Sequence, residues 1–322
     1  MKQKIYQYLL NCDFDFWDLV PEMGNMPQFV GELKKMLIDG LITINSSIIS
    51  LTPKGKEEAL ALNLFPTSFL RVEKNIEIDN TLLKKFIRIR RKINKNINWE
   101  QLQLTCESVM RKVEIMKRRG DLVGKDILCI GDDDMLSVAL ALTKLPRKIA
   151  ILDIDQNIVA YVNETLKKLG YEKESRVTDF LDGVPEDFRE SFDIFCTEPP
   201  DTIKGEALFF SRGIECLKPH NGIAYIGLMD SDLKKEEILK IQKNVLEAKG
   251  MITDMFDQIG QYEPSPDELK FINGLPEGIE APTHPWQFSS LIRIEFLDNP
   301  KVLVKGAVNE PFANFVKPMF DC

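Results

Sequence analysis

Several short acidic constellations lie between residues 131 and 201, each at the end of an apolar run. The first is Gly131-Asp132-Asp133-Asp134, after Asp-Ile-Leu-Cys-Ile. A loop that cradles a diphosphate carries several glycines, so that backbone N–H groups approach the anion. Here one glycine is followed by three carboxylates, which repel a diphosphate. NAD, FAD and ATP are therefore disfavoured. A cationic ligand is favoured, and a sulfonium nucleoside meets that demand with adenosine, no phosphate and a positive charge. Gly131, Asp132 and Asp133 are the first candidate donor-binding residues.

The second run ends Leu152-Asp153-Ile154-Asp155. A carboxylate at the end of a second strand accepts both ribose hydroxyls. Asp153 is the expected ribose ligand. Asp155 is the alternative, or else the cap of the following helix. The third run ends Thr178-Asp179-Phe180, where Asp179 can accept an exocyclic adenine amine and Phe180 offers an N–H or an apolar face. The fourth ends Glu198-Pro199-Pro200-Asp201. Consecutive prolines force a rigid, extended exit and leave their carbonyls free to accept. Carboxylates beside rigid carbonyls make a cradle for an amine.

These residues need strands to carry them. From residue 126 onward the runs DILCIG, KIAILDID, RVTDF, FDIFCTEPP, GIAYIGL, MITDMF and SSLIRIEF read as strands. Helical stretches such as MLSVALALT and QNIVAYVNETLKKLG lie between most of them. Apolar strands alternating with helices predict an α/β fold, with a mostly parallel sheet buried on both faces. Right-handed crossovers make it doubly wound and Rossmann-like. Ligands of such sheets bind beyond the carboxyl ends of the strands. ESVMRKVEIMKRRGDL reads as an amphipathic helix leading into the sheet, with Val109, Val113 and Met116 inward and Gly120 as its stop.

Residues 1–62 read as three helices and a hairpin around Asn45-Ser46-Ser47, a winged-helix-like unit. Residues 63–119 form a basic linker and lead-in helix, and 120–322 the Rossmann-like unit. The expected recognition helix offers only Lys34 and Lys35 against Glu32 and Asp39, a poor surface for phosphates. The run Lys84–Lys95 holds seven basic residues and no acid, alternating with Phe86, Ile87, Ile89 and Ile93. It is expected as a strand face, solvated or paired with the acidic half. Residues 81–119 carry 12 basic and 3 acidic side chains, whereas 120–322 carry 22 and 36. An acidic catalytic half attracts cations and repels nucleic acid.

Composition narrows the field further. No apolar run approaches the roughly 18 residues of a membrane span. The first residues lack the apolar core of a secretory leader, so a cytoplasmic protein is expected. Cys12, Cys106, Cys129, Cys196, Cys216 and Cys322 form no Cys-x-x-Cys pair, and His220 and His284 are the sole histidines. Neither a zinc ribbon nor a histidine metal site is expected. The acidic triad lacks the other ligands of a divalent-metal site. The sequence admits a homodimer.

GDDDMLSVALALTKLPRKIAILDIDQNIV and FDIFCTEPPDTIKGEALFFSRGIECLK together resemble the branched-chain polyamine synthases, the N4-bis(aminopropyl)spermidine synthase family of thermophiles. The resemblance covers roughly residues 100–262. The family pattern Asp-Pro-Pro-Glu appears here as Glu198-Pro-Pro-Asp201, with the carboxylate lengths exchanged. Amine methyltransferases place Asp/Asn-Pro-Pro-Tyr at this point. Asp201 in place of the aromatic points to an aliphatic, cationic acceptor within a methyltransferase-like fold.

The resemblance implies decarboxylated S-adenosylmethionine as co-substrate, no tightly bound cofactor, and spermidine as the small-molecule acceptor. It implies attack by the internal nitrogen and release of methylthioadenosine. Its acid–base residue maps to Asp134, with Glu198 holding the nitrogen in line. Pro199, Pro200, Asp201, Asp257, Tyr262 and Glu263 are the expected polyamine contacts, and residues 263–286 an expected lid. Two rivals stand beside this reading. An S-adenosylmethionine N-methyltransferase would need a cationic or N–H-rich partner for the methionine carboxylate, and the acidic loop supplies the opposite. A winged-helix regulator with a vestigial sensor would bind duplex DNA through the basic run and turn nothing over.

Overall fold

The computed structural model describes residues 1–64, 66, 76–91, 103–229, 235–263 and 274–315. The remainder of the basic run, Lys92–Lys95, and residues 264–273 of the expected lid lie outside them.

The amino-terminal part contains α1 (Lys2–Leu9), β1 (Phe14–Asp15), α2 (Phe16–Met23), α3 (Met26–Ile38), β2 (Ile42–Asn45), β3 (Ile48–Leu51) and α4 (Pro53–Ala61). Each helix start has a local cause. Asp15 accepts the Trp17 N–H ahead of α2, Asn25 accepts from Gln28 ahead of α3, and Thr52 accepts from Gly55 ahead of α4. The three strands pair antiparallel in the order β1-β3-β2. Their core is built on Tyr6, Phe16, Trp17, Phe29 and Leu33.

Trp286 belongs to that same core, although it lies far along the chain in the stretch expected to form the sheet unit. Its ring lies 4.6 Å from that of Trp17. The Trp17 indole N–H donates to the Glu280 carbonyl at 2.9 Å, and Ser47 N–H donates to the Gly278 carbonyl at 2.7 Å. The connection before the last strand is thus fastened to the first core.

The basic run is helical, not a strand. Helix α5 (Asn80–Arg90) starts where Asp79 accepts the N–H groups of Thr81 and Leu82. Leu83, Phe86 and Arg90 turn inward at a three- and four-residue spacing. The Ile-Arg-Ile-Arg alternation mimics a strand, but the cap and the wider spacing decide the outcome. Helix α6 (Cys106–Arg118) follows, capped by Thr105, and Gly120 beyond it has φ +78°. Its buried face carries Val109, Val113 and Met116, and also Lys112.

The main sheet then forms from β4 (Asp126–Ile130), β5 (Lys148–Asp153), β6 (Arg176–Val177), β7 (Ile194–Thr197), β8 (Ile223–Leu228), β9 (Gly250–Gln261) and β10 (Phe288–Phe296). Helices α7 (Leu136–Leu142), α8 (Gln156–Lys168), α9 (Ile203–Cys216) and α10 (Lys235–Glu247) connect them. The order is β6-β5-β4-β7-β8-β10-β9, with β10 antiparallel to both neighbours. This is the expected doubly wound, mostly parallel α/β sheet. Every residue of β4 is buried, and each fully buried Leu or Ile contributes about 2 kcal/mol of burial energy. Cys129 and Cys196 are core residues in register on β4 and β7. The order reverses at β4, so the strand ends there frame a crevice. No helix among the described residues is long and apolar enough to cross a membrane.

Candidate active site

The carboxyl ends of β4 and β7 open on a cavity of about 450 Å³, mouth included. Lys112, Asp132, Asp133, Asp134, Glu198 and Tyr225 are among its lining residues. The loop after β4 begins at Gly131, whose φ of +70° is a conformation that favours glycine. That turn swings the three aspartates round in succession.

Asp132 lines the cavity, yet its oxygens are engaged within the fold. Oδ1 accepts the Ser137 N–H at 3.1 Å, and Oδ2 accepts the Ser137 hydroxyl, so it ties down the first turn of α7. Burial pushes its carboxyl up to about 8, with the charges of Asp153 and Asp134 adding to the shift and the Ser137 hydrogen bonds opposing it. Asp132, an expected donor-binding residue, thus lines the cavity and also ties the loop to α7. Asp133 is half-buried, and burial together with Asp134, Asp153 and Asp132 pushes it well above the carboxylate range. Asp134 is buried and oriented. It accepts the Leu104 N–H at 2.6 Å and faces the Arg90 guanidinium at 3.4 Å.

Beside the loop, Asp153 accepts the Asp132 N–H on Oδ2 and the Asp155 N–H on Oδ1, both at 2.8 Å. Backbone N–H groups thus hold both oxygens of its carboxylate. Burial raises its carboxyl. Asp155 caps α8 by accepting the Asn157 N–H at 2.8 Å. Asp179 is exposed and accepts the Leu181 N–H at 2.9 Å. The Phe180 ring sits edge-on to Phe209 at 4.8 Å. The Phe180 carbonyl accepts from Arg212, a fully buried guanidinium that also holds the Val304 and Gly306 carbonyls. The segment after β10 thereby fixes the ledge beside Asp153.

At the end of β7, Glu198 is held from two sides. Oε1 takes the Lys112 ammonium and Oε2 accepts the Tyr262 hydroxyl at 2.7 Å. Gly227 on β8 leaves the room, since a Cβ there would overlap the Glu198 carboxylate. Tyr262 is buried, and burial with the Asp201 charge beyond it holds the phenol well above its usual range. It is therefore a hydrogen-bond donor throughout the working pH range. Pro199 is buried and Pro200 half-buried, and the Pro200 carbonyl accepts the Thr202 N–H at 2.8 Å.

None of the expected polyamine contacts Pro199, Pro200, Asp201, Asp257, Tyr262 and Glu263 is among the residues lining the cavity, though Tyr262 meets it through Glu198. Asp257 is exposed on β9, the edge strand, where it accepts the Ser290 hydroxyl at 3.2 Å. Glu263 is exposed just past β9, its N–H donating to the Gln103 carbonyl at 2.8 Å. Conversely, Lys112 on the cavity wall and Arg90 behind Asp134 were not foreseen, and they add two cations to the expected crowd of carboxylates. Burial pulls Lys112 down to about 8 against the opposing pull of Asp134 and Asp133. A lysine on the apolar stripe of α6 is the signal that would have found it, at positions 109, 112, 113 and 116.

A doubly wound sheet with an acidic loop after its central strand and a carboxylate-Pro-Pro turn on the neighbouring strand has its ligand site where nucleoside-binding α/β enzymes have theirs. Residues 81–313 match the model of the branched-chain polyamine synthase A C-terminal domain. The chain belongs to the branched-chain polyamine synthase family.

It is similar to the N(4)-bis(aminopropyl)spermidine synthase of Thermococcus kodakarensis, 29% identical over 299 residues covering 89% of this chain and 85% of the relative. The corresponding Thermus thermophilus protein is 30% identical over 223 residues, 68% of this chain and 65% of the relative. The crystal structure of a T. thermophilus branched-chain polyamine synthase, in complex with N4-aminopropylspermidine and 5'-methylthioadenosine, superposes with a TM-score of 0.82. It is 23% identical and the match covers 96% of this chain and 90% of that one, so it supports the fold.

Proposed function

We propose that this enzyme transfers the aminopropyl group of decarboxylated S-adenosylmethionine to the internal nitrogen of spermidine. The products are N4-aminopropylspermidine, then N4-bis(aminopropyl)spermidine, with 5'-methylthioadenosine released at each step. The observation that carries this reading is the meeting of Asp133, Asp134 and Glu198 around one cavity at the ends of β4 and β7. A relative shown with the mono-aminopropylated amine and methylthioadenosine supports it.

The sulfonium donor is already activated, because its sulfur leaves as a neutral thioether. The acceptor is the harder partner. Spermidine is protonated at neutral pH, and its internal nitrogen must lose a proton to gain a lone pair. Asp134 is the assigned base, buried and aimed by Leu104 and Arg90. Asp133, its proton affinity raised by its neighbours, is the second carboxyl in the relay. The nitrogen lone pair then attacks the methylene next to sulfur. The C–N bond forms, the C–S bond breaks with its electrons going to sulfur, and the nitrogen becomes cationic. Loss of its proton gives the tertiary amine, and a second attack gives a quaternary ammonium with no proton to lose.

The rest of the site aligns the partners. Asp153 takes the ribose hydroxyls, and the Asp179-Phe180 ledge takes the adenine. Glu198, clamped by Lys112 and Tyr262, accepts the acceptor's N–H. Asp201, whose charge reaches Tyr262, takes a terminal ammonium. Incubating the purified protein with spermidine and each adenosyl donor, then resolving products by mass, tests the reading. One and two aminopropyl additions are expected with the decarboxylated donor alone. Methylation by S-adenosylmethionine, or no product from either donor, overturns it.

A further inference from the structure

We infer that Lys112 is a positioning residue for the first aminopropyl transfer, acting through Glu198. Its ammonium occupies much of the Glu198 charge, so that Glu198 accepts a hydrogen bond from a neutral amine instead of retaining an ammonium. This inference deepens the proposed function and rests on Glu198 facing the acceptor nitrogen.

The geometry has several parts. Lys112 projects from the buried face of α6 and is 3% exposed. Its ammonium meets Glu198 Oε1, while Tyr262 donates to Oε2. Both Lys112 and Glu198 line the cavity that also holds Asp133 and Asp134. Gly227 clears the space in which the carboxylate lies. Burying an ammonium this fully is costly unless it is paired, so its placement needs a reason. Packing alone would be served by a methionine or leucine at this stripe position.

The chemistry supplies that reason. A bare carboxylate beside a basic amine favours the ammonium form, which has no lone pair and cannot attack. Pairing Glu198 with a fixed cation weakens that preference while keeping oxygen lone pairs for an N–H. Clamped at both oxygens, the carboxylate directs the secondary amine's single N–H, and so the opposite lone pair, along one line. After the first transfer the nitrogen is tertiary. Its neutral form has no N–H to direct, so this aid belongs to the first addition and not the second.

The test is a kinetic split on two acceptors. Lys112→Met is expected to lower kcat with spermidine by about tenfold or more while lowering its KM, because the unpaired Glu198 then binds the ammonium too well. With N4-aminopropylspermidine as acceptor, the loss of kcat is expected to be several-fold smaller. Lys112→Gln retains a hydrogen-bond donor without the charge and is expected to show the same split. Unchanged binding of 5'-methylthioadenosine and an unchanged melting profile certify each variant's fold. A raised KM, or equal losses on both acceptors in folded variants, overturns the inference. Should Lys112→Met fail to fold, Lys112→Gln decides by the same criteria, and failure of both to fold assigns Lys112 to the core and overturns it too. Glu198→Gln separates this result from the underlying reading. If that variant turns over like wild type, Glu198 has no part in acceptor binding. If it is impaired but Lys112→Met shows no split, only the role of Lys112 fails.

Discussion

Tyr262 donates its hydroxyl to Glu198 Oε2 at 2.7 Å, joining the end of β9 to the end of β7. Tyr262 is itself held by backbone pairing. Its N–H donates to the Gln287 carbonyl at 3.1 Å, and Leu104 lies opposite it in an antiparallel bridge. The same Leu104 donates its N–H to Asp134. One short backbone junction therefore sets both the assigned base and one arm of the Glu198 clamp.

Tyr262→Phe removes that arm without disturbing the backbone. A hydrogen bond to a charged group contributes about 1.5–3 kcal/mol. The expected result is a fall in kcat of roughly one to two decades with spermidine, with little change in 5'-methylthioadenosine affinity. Steady-state kinetics beside a methylthioadenosine titration measures it. An unchanged kcat would remove Tyr262 from the clamp.

Asp134→Asn keeps an oxygen for the Leu104 N–H but cannot take a proton. Turnover should fall by at least about 100-fold, the lower end of what a positioned general base supplies. Donor binding should persist, because Asp153 and the Phe180 ledge are untouched. A variant that retains wild-type rates would move the base to Asp133, where Asp133→Asn becomes the deciding substitution.

The centre of the sheet was legible because the parallel strands β4, β5, β7 and β8 are apolar runs of four to six residues, a pattern that burial on two faces demands. The acidic residues at those strand ends were legible for the same reason. What escaped was set by packing. Arg90 was hidden in an alternation that looked like a strand, and Lys112 in a helix whose apolar stripe drew attention away from its one charge. The place of Asp257 on the sheet's edge was not legible, because a carboxylate next to apolar residues does not disclose which strand is outermost. Trp286 could not be assigned to the amino-terminal core from sequence, because nothing local links it to Trp17.

That tryptophan pair ties the amino-terminal unit to the segment that holds Tyr262. Trp286 sits in the first core, and Gln287 beside it holds the Tyr262 N–H. Trp286→Ala is a large-to-small core change costing about 3–5 kcal/mol. It should lower the melting temperature and also raise the spermidine KM, while leaving methylthioadenosine affinity near wild type at temperatures where the variant is folded. Thermal denaturation and kinetics on one preparation measure both. If KM stays constant in the folded variant, the first core supplies stability alone.

Asp132 provides a pH signature. Its carboxyl has a usual value of 3.8 and is raised to about 8 in the fold, chiefly by burial. Between those values the folded state holds a proton that the unfolded chain has lost. Stability linked to this group is therefore full below about pH 4 and declines as pH rises through the window toward pH 8. Asp132→Asn cannot ionise, and its amide oxygen can still accept from Ser137. Relative to wild type, the variant should gain stability as the pH is raised from about 5 to about 9. Urea denaturation at those two pH values measures the difference. A gap between variant and wild type that stays constant with pH would show that Asp132 is ionised in the folded protein across the range, and that the Ser137 hydrogen bonds outweigh its burial.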